Sequence, residues 1–502
     1  MNKKFPFAFK VEGKSVIISK KTRTGINMSS LADKLIKLRR EARFSQKELG
    51  ALVGVSDRAV SKWECGLSRP SLEACVTLSG IFKIPLDELI SGEKRGFEEE
   101  KKNGMASIRS LYRIGPGPSS SHTIAPSRAA SIVMSMYPEA DFFKVVLYGS
   151  LARTGYGHGT ETALKKAFGD KKSEIILDYM TTDIKHPNTM DFQAFLGEKE
   201  LGMKRIYSTG GGAIEAEGEE QAFEKAIYPH STFGEIMAYL KETKRRIPDY
   251  IEEVEGKEIW SFLATVWETM KDSIDRGLSA EGILPGGLEV KRKAKTLKER
   301  KHMDETSETR ENRMVCSFAY AVSEENAAGG IVVTAPTCGA SGVLPAVLRY
   351  QQEKRGFSDR EICRALATAA LFGNLIKTNA SISGAECGCQ AEIGSACSMG
   401  AAALAELFDM DIEQIEYAAE VAMEHHLGLT CDPIRGLVQI PCIERNAVGA
   451  MRSIQAVNLA NFLSDTRKIS FDLVIQTMYE TGKDMSKIYR ETAEGGLAKL
   501  YQ

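Results

Sequence analysis

The sequence has almost no net charge, no long apolar run and no secretory leader pattern. Its 66 Lys and Arg residues balance 67 Asp and Glu residues, giving a formal net charge of −1 over 502 residues. This balance excludes a general basic field for nucleic acid, so a nucleic-acid partner would need a local patch. No apolar stretch approaches the length of a membrane span, and the basic N-terminus lacks the apolar core of a signal peptide. We therefore expect a cytoplasmic protein whose ten cysteines stay reduced.

What is present fits a multi-domain globular protein, with 43% hydrophobic and 26% charged residues. The predicted order is an all-α helix-turn-helix domain, an α+β domain, and a mostly all-α domain. A basic arm, which is either a contact for DNA or, as we favour, a solvated tail, precedes them, and a charged linker follows the first domain. The predicted bounds are 1–29 (arm), 30–92 (helix-turn-helix), 93–104 (linker), 105–258 (α+β) and 260–502 (helical).

Two short helices with capping signals are predicted near the N-terminus. Ser45 is followed three residues later by Glu48, which is the pattern of a capping box. Gly54 ends that helix, and Ser56 caps the next one, SDRAVSKWE. Two such helices around a glycine turn predict a helix-turn-helix, whose second helix enters the major groove of DNA.

The stretch from Ser45 to Ile90 closely resembles the phage-repressor or Xre-type DNA-binding domain. The resemblance implies that Val60, Trp63 and Leu72 belong to the core. The side chains that it places against double-stranded DNA are Gln46, Arg58, Ser61 and Lys62. The alternative is a helical bundle retained for contacts with proteins.

The segment GPGPSSSHTIAPSRAA combines Gly-Pro turns, hydroxyl groups and a histidine ahead of a predicted helix. Hydroxyls and amides at the start of a helix favour an anion such as a carboxylate. His122 would then contact that carboxylate or move a proton. The later segment GSLARTGYGHGT is rich in glycine but lacks the spacing of a P-loop.

The stretch from Ser383 to Arg445 contains five of the ten cysteines in Gly- and Ala-rich surroundings. Thiols gathered in this way in a reduced protein favour a metal or iron–sulfur site over disulfides. The alternative is that they pack as small buried hydrophobic residues. Spacing alone favours the local trio Cys387, Cys389 and Cys397.

Several unusual segments occur together: GPSSSHT, YGSLA, HPNTM, LPGGL, NAAGGIVVTAPTCGASGVLPAV, SGAECGCQAEIGSACSM and MEHHLGLTCDPIRGLVQIPCIERNA. Taken together they resemble the bacterial iron–sulfur L-serine dehydratase (L-serine ammonia-lyase, a carbon–nitrogen lyase). That family joins a β-type substrate-binding-like domain to an all-helical α-type catalytic domain. Both occur here on one chain, whereas the N-terminal DNA-binding module departs from the family pattern.

The resemblance implies a 4Fe–4S cluster whose ligands are Cys389, Cys431 and Cys442 rather than the local trio. Three thiolates leave one iron open, and that iron would act as a Lewis acid on the hydroxyl of L-serine. Loss of the Cα proton and the hydroxyl would give aminoacrylate, and then pyruvate and ammonia. Cys387 is expected to be incidental and Cys397 to lie in or near the core.

The candidate donors to the substrate carboxylate are Ser119, Ser120, Ser121, Thr334 and Thr337. His122 is our first candidate for the base or its partner, and His425, beside Glu424, is the second. For each histidine the alternative is a structural role or a bond to a cluster sulfide.

Some relatives end in a cysteine that turns back toward the cluster, whereas this chain ends GGLAKLYQ. We therefore expect greater oxygen sensitivity of the resting enzyme. The resemblance also leaves open a related cysteine desulfidase or a threonine dehydratase. A pyridoxal phosphate enzyme is disfavoured because the sequence offers no convincing Schiff-base lysine.

A rival of another class is a transcription regulator that senses serine or cluster status through a dehydratase scaffold. The intact SDRAVSKWE helix favours it, and the intact set of thiols favours catalysis. A homodimer is expected because helix-turn-helix domains often read paired half-sites.

Overall fold

The computed structural model describes residues 28–82, 104–155, 157–218, 225–300, 304–463 and 466–501. They belong to two compact units, one ending at Lys101 and the other beginning at Lys102. The predicted arm and linker lie almost entirely outside the described residues, and so does the end of the predicted helix-turn-helix domain after residue 82. In the described part of the chain, no helix combines the length and apolarity needed to cross a membrane.

The first unit consists of short helices with the predicted caps. Its helices are α1 (Met28–Glu41), α2 (Gln46–Val53), α3 (Asp57–Glu64) and α4 (Leu72–Phe82). Ser45 and Glu48 form the reciprocal capping box at the start of α2. Gly54 ends α2 with a left-handed φ of 79°, a conformation that glycine adopts without steric cost, and Ser56 caps α3. The predicted helix-turn-helix arrangement is therefore confirmed.

A buried ion pair ties the first unit together. Arg39 Nε lies 2.6 Å from Glu64 Oε1, and the Glu64 side chain is 4% exposed. The amide of Gln46 also donates to Glu64, at 2.7 Å. Because the pair is hydrogen-bonded on several sides, it fixes the angle between α1, α2 and α3. Arg58 and Lys62 remain exposed on α3.

The second unit opens with a sheet-containing region. Its strands are β1 (Met105–Ala106), β2 (Ile114–Pro116), β3 (Phe142–Tyr148), β4 (Lys172–Asp178), β5 (Thr189–Leu196), β6 (Lys199–Gly210), β7 (Ala213–Ala216), β8 (Ala226–Tyr228) and, later in the chain, β9 (Ile331–Val333). Its first helices are α5 (Ala125–Met136), α6 (Gly149–Thr154) and α7 (Thr160–Phe168).

The rest of the unit is mostly helical. The helices are α8 (Phe233–Thr243), α9 (Ile247–Glu255), α10 (Ile259–Ser279), α11 (Ala294–Glu299), α12 (Ser307–Ala327), α13 (Val343–Arg355), α14 (Asp359–Asn379), α15 (Gly384–Cys387), α16 (Ser395–Leu407), α17 (Ile412–Glu424), α18 (Cys442–Leu463), α19 (Phe471–Asp484) and α20 (Gly496–Leu500). The predicted succession of fold classes is confirmed.

The main sheet has five strands in the order β4-β3-β5-β6-β7, with β3 and β4 parallel and the other pairs antiparallel. Residues on β3 alternate between buried and half-buried, so Phe143, Val145 and Leu147 point to one face. Helices α5 and α7 cover that face and complete its apolar core.

Helix α16 is the centre of the helical region. All thirteen of its residues are buried, which is the pattern of a helix surrounded by others. Its sequence, SACSMGAAALAEL, supplies small side chains, and α14, α17 and α18 pack closely against it.

A two-stranded ribbon joins the two regions of the second unit. Strand β2 pairs antiparallel with β9, so that Ile114 lies opposite Val333 and Pro116 opposite Ile331. One hydrophobic core runs from Met105 and Ile108 into the helices. The first residues of the sheet-containing region therefore share a core with the helices, whereas the five-stranded sheet has a core of its own.

The prediction that the charged stretch 299–313 is an exposed connector is partly wrong. Its residues from Ser307 onward form the first turns of the 21-residue helix α12. Thr306 caps this helix by accepting a hydrogen bond from the Thr309 amide at 3.2 Å. An exposed helical face carries the same charged residues as a loop, so composition alone did not distinguish them.

The close packing of α10 on α12 is expected to depend on Gly277. A Cβ atom at this position would lie 2.1 Å from the Ala321 carbonyl oxygen, so Gly277→Ala forces the helices apart. We expect a loss of about 2 kcal/mol or more in the free energy of unfolding. Gly234→Ala in α8 is the matched control, because its new Cβ meets its nearest atom at 3.5 Å. Denaturant unfolding of the full chain measures both, and an equal effect of the two variants would contradict this account.

Candidate active site

Cys389, Cys431 and Cys442 line one cavity of the second unit. Cys389 directly precedes a π-helical turn, Gln390–Gly394, that leads into α16. Cys442 is the first residue of α18, and Cys431 lies in the loop after α17. Two of the thiols therefore lie at helix starts, where the helix dipole favours a thiolate.

Gln390 joins the loops that carry two of these cysteines. Its backbone amide donates to the Leu429 carbonyl at 3.1 Å, and its side-chain oxygen accepts from the Gly428 amide at 2.9 Å. Its side-chain nitrogen donates to the Cys387 carbonyl at 2.9 Å. Because the Gln390 side chain is fully buried, these bonds fix the position of Cys389 relative to the segment before Cys431.

The C-terminal segment from Tyr489 to Leu497, here called the C-terminal strap, holds Cys431 from the other side. The Cys431 amide donates to the Tyr489 carbonyl, and the Glu491 amide donates to the Cys431 carbonyl, both at 2.8 Å. The Ser150 hydroxyl donates to the Glu491 carbonyl at 2.9 Å. The strap therefore connects Cys431 with α6 of the sheet-containing region and brings the Glu491 carboxyl group to the cavity.

Burial raises the pKa of all three thiols, that of Cys389 to about 11. The positive charge of Arg445 lowers the pKa of Cys389 and Cys442 and so partly opposes the effect of burial. Its guanidinium donates to the Thr430 carbonyl at 2.6 Å and to Asp432 at 3.1 Å. The positive charge of Arg445 therefore favours the thiolate forms of Cys389 and Cys442.

The three thiols are spaced too widely to hold one tetrahedral zinc ion as they stand. Thiolates around one tetrahedral zinc, with Zn–S bonds near 2.3 Å, lie about 3.8 Å apart. In the described part of the chain, the group whose donor atoms all lie within 4.8 Å of one another is His122, His158 and Glu491, and it does not include the three cysteines. Thiols that share a cavity at wider spacing are suited to a multi-iron centre.

Cys387 and Cys397 are not part of the cavity lining. Cys387 is buried against Gly482, where an added Cβ would lie 2.7 Å from its sulfur. Cys397 lies inside α16 and its sulfur accepts from the Ser453 hydroxyl at 3.5 Å. Both are packed among helices rather than directed at Cys389.

The SSSHT segment forms a second π-helical turn, Ser120–Ile124, at the start of α5. π-helical turns are rare and occur often at functional sites. His122 is fully buried there, with Nδ1 3.1 Å from the Ser119 hydroxyl and Nε2 2.8 Å from the Thr154 hydroxyl. Burial lowers the pKa of His122 to about 4, so its imidazole is neutral near pH 7 and able to accept a proton.

His158 and Glu491 complete a buried group that the sequence analysis missed. Glu491 Oε1 lies 3.7 Å from His122 Nδ1 and 3.8 Å from His158 Nδ1. Among the described residues, neither ring nitrogen of His158 has a hydrogen-bond partner. The signal for His158 in the sequence is its place between two glycines in the segment YGHGT.

Glu392 is the other carboxyl group that the sequence analysis missed. Thr337 donates to Glu392 Oε1 at 2.9 Å, and the Cys431 thiol lies 3.8 Å from Oε2. Gly384 lets the carboxyl approach, since a Cβ there would lie 2.6 Å from Oε2. Burial raises the pKa of both Glu392 and Glu491, and their mutual repulsion raises that of Glu491 further. Two such buried neighbours do not ionise together readily.

The structure brings some predicted substrate-binding residues to the cavity and not others. Ser119 lines it, and Thr337 reaches it through Glu392. Ser120 and Ser121 are buried within the π-helical turn. Thr334 instead stabilises the β2–β9 ribbon, where its hydroxyl donates to the Leu111 carbonyl at 2.6 Å.

His425 lies outside the thiol cavity. It is exposed at the end of α17 and borders a separate pocket with His426 and Arg452. Its Nδ1 is 2.9 Å from the Val421 carbonyl of its own helix. His122 does not line the cavity itself, but its ring contacts Ser119 and His158, which do.

Comparison with protein families identifies three matching regions. The family described as serine dehydratase beta chain matches residues 107–169, and serine dehydratase alpha chain matches residues 164–498. A helix-turn-helix family matches residues 35–89. The order agrees with the resemblance seen in the sequence.

Individual relatives agree over most of the chain. L-serine dehydratase 2 and L-serine dehydratase 1 of Escherichia coli are 39% and 40% identical to it over 449 and 448 residues. L-serine dehydratase of Streptomyces coelicolor is 40% identical over 446 residues. Each match covers 78% of this chain and 98% or 99% of the relative. The chain thus belongs to the serine dehydratase family, with the beta and alpha regions fused on one polypeptide behind a helix-turn-helix domain.

Proposed function

We propose that the second unit converts L-serine to pyruvate and ammonia with a 4Fe–4S cluster held by Cys389, Cys431 and Cys442. The observation that carries this proposal is that one cavity is lined by three thiols, two carboxyl groups and His158, with the buried His122 in contact with its lining residues Ser119 and His158. The names of the relatives support L-serine as the substrate.

When bound, a cluster with three protein thiolates supplies a Lewis-acidic iron with an open position for the departing hydroxyl. The chain supplies everything else that the reaction needs. Arg445 offsets the negative charge of the thiolates, and the helix starts at Cys389 and Cys442 act in the same direction. The Ser119 hydroxyl lines the cavity and is suited to the substrate carboxylate.

His122 is the proposed acceptor of the Cα proton. Its neutral form is secured by burial, and hydrogen bonds at both ring nitrogens fix its orientation. Rotation of the Ser119 hydroxyl toward the substrate would leave Nδ1 able to accept a proton. The carboxyl oxygen of Glu491, 3.7 Å from that atom, would then be near enough to accept a hydrogen bond from the protonated ring after a small movement.

Glu392, which lines the cavity, is the proposed group that holds or delivers a proton. Burial raises its pKa and so favours its protonated form, and Thr337 orients Oε1. A protonated carboxyl near the departing hydroxyl assists its loss as water. Cysteine desulfidase and threonine dehydratase activities remain the alternatives, and steady-state rates on L-serine, L-cysteine and L-threonine distinguish them.

Cys431→Ala is expected to abolish pyruvate formation and to lower the iron and sulfide content of anaerobically purified protein. The reason is that it removes one of three ligands that no neighbouring thiol replaces. Cys397→Ala is the matched control, because that thiol packs inside α16. Loss of iron in Cys397→Ala with retention in Cys431→Ala would instead favour the local trio of cysteines.

His122→Asn is expected to lower kcat by about 10² to 10⁴ while leaving iron and sulfide content unchanged, as for removal of a general base. His425→Asn should retain activity, since that side chain lies outside the cavity. The two variants are compared in anaerobic pyruvate assays. Full activity of His122→Asn together with an inactive His425→Asn would reverse the assignment.

We infer as a second activity that the first unit binds double-stranded DNA. Helix α3 exposes Arg58 and Lys62, Ser61 is half-buried, and Gln46 is bonded to Glu64 at the start of α2. In helix-turn-helix domains the equivalent helix enters the major groove.

Lys62→Ala is expected to weaken binding of the full chain to duplex DNA and to reduce its salt dependence, with dehydratase activity unchanged. Fluorescence anisotropy with genomic fragments at several salt concentrations measures the effect. Lys241→Ala, on an exposed helix of the second unit, is the control. Absence of DNA binding by the unaltered chain would instead favour a domain for protein contacts.

A further inference from the structure

His122, His158 and Glu491, here called the imidazole–carboxylate group, form a set of metal-binding side chains that is separate from the three thiols. Each residue offers one ligand atom, and these three atoms all lie within 4.8 Å of one another. Glu491 Oε1 is 3.7 Å from His122 Nδ1 and 3.8 Å from His158 Nδ1. Nitrogen and oxygen ligands of one tetrahedral zinc ion lie about 3.4 Å apart. Small movements of the side chains would therefore bring all three atoms to one ion.

Hydrogen bonds on the far side of the His122 ring leave its Nδ1 lone pair free for an ion. The Thr154 hydroxyl donates to the Ser150 carbonyl at 2.9 Å, so this hydroxyl accepts at 2.8 Å from His122 Nε2. The Ser150 carbonyl also lies 3.4 Å from Nε2 and can only accept. Nε2 therefore carries the ring proton, and Nδ1 has the lone pair. Metal-binding histidines usually donate their other ring N–H to a fixed partner in this way.

His158 reaches the same point from a tightly packed loop. Its amide donates to the Thr154 carbonyl at 3.0 Å, and a Cβ on the preceding Gly157 would lie 2.6 Å from the Gly436 carbonyl oxygen. The side chain is 1% exposed, and among the described residues its ring nitrogens have no hydrogen-bond partner. The rings of His158 and His122 meet edge to face with centroids 4.2 Å apart. An ion bound to His158 Nδ1 would satisfy a polar atom that is otherwise buried without a partner.

Glu491 brings the negative charge that a cation needs. Its backbone has a left-handed φ of 55°, which is unfavourable for a residue other than glycine. The bonds of its amide to Cys431 and of its carbonyl to Ser150 hold this conformation in the C-terminal strap. Glu392 and Glu491 repel each other when both are ionised. A divalent cation at Glu491 would relieve that repulsion, so the charges of the site favour an ion with a positive charge of two.

We propose that the imidazole–carboxylate group binds one divalent transition metal ion, such as zinc, and that this ion inhibits the dehydratase reaction. Imidazole nitrogens suit zinc and its neighbours in the first transition row. Two histidines and one carboxylate leave a fourth position for water. The ion occupies the Nδ1 lone pair of His122, which is the proposed acceptor of the Cα proton. The inhibition rests on the proposed function, whereas binding of the metal does not.

X-ray absorption at the zinc edge tests the site in the full chain, purified without oxygen and loaded with one equivalent of zinc. We expect nitrogen and oxygen ligands at about 2.0 to 2.1 Å with the scattering pattern of imidazole, and not sulfur at about 2.3 Å. The zinc edge excludes any signal from iron. This measurement needs no variant, so it holds even where a substitution disturbs folding.

Equilibrium dialysis against zinc compares the unaltered chain with His158→Gln. We expect the variant to bind zinc about tenfold or more weakly, since even groups outside the ligand set change metal affinity by about 10- to 100-fold. His425→Asn is the matched control, because that histidine lies in a separate pocket. It should bind zinc as the unaltered chain does.

Pyruvate assays test the inhibition. Zinc is expected to lower kcat about tenfold or more in both the unaltered chain and His425→Asn, since it blocks a general base. Iron content should stay constant, and a chelator of zinc should restore the rate. A shell of sulfur around zinc, or equal zinc affinity of His158→Gln and the unaltered chain, would overturn the site.

Zinc bound through nitrogen and oxygen without any loss of rate would overturn the inhibition. The same binding by a chain that never forms pyruvate would contradict the proposed dehydratase function and not the metal site.

Discussion

The thiol cavity depends on the burial of groups that would carry charge in water. Burial raises the pKa of Cys431 and Glu491 and lowers the pKa of His122 and His158, so each is held in its neutral form. Arg445 acts against this trend by lowering the pKa of Cys389 and Cys442. Such burial is costly to maintain, and binding of a cationic centre would reverse the balance, because it would turn thiols into thiolates and release their protons.

Such a site requires donors from segments that are far apart in the sequence. Gln390 fixes the loops of Cys389 and Cys431, and the C-terminal strap fixes Cys431 against α6. The β2–β9 ribbon adds the loop that carries Thr337. The cavity therefore lies where the sheet-containing and helical regions meet, and neither region contains all of its polar groups.

Local patterns in the sequence predicted most of the fold. The Ser45 capping box, the strand FFKVVLYGS and the helix after Cys397 agree with the structure because each depends on neighbouring residues. The prediction of a connector at 299–313 did not agree with the structure, because a solvated helix and a loop have the same composition.

The site was less accessible from the residues alone. The spacing of the cysteines favours Cys387 and Cys397 together with Cys389, yet Cys387 and Cys397 pack among helices. Only the resemblance to a family indicates Cys431. His158, Glu392 and Glu491 were missed because their proximity is purely tertiary. His425 is six residues from Cys431 in sequence, yet the end of α17 turns it to the surface.

The C-terminal strap also has a consequence for biosynthesis. Ser150 and His122 find their partner Glu491 far along the chain, 341 residues after Ser150. At ordinary elongation rates, roughly 20 to 70 s separate the synthesis of His122 from that of Glu491. During that interval the nascent sheet-containing region has its buried imidazoles without their carboxyl neighbour, and the first unit has already left the ribosome. Assembly of the thiol cavity therefore waits for synthesis of the C-terminal strap, while the helix-turn-helix domain is free to fold earlier.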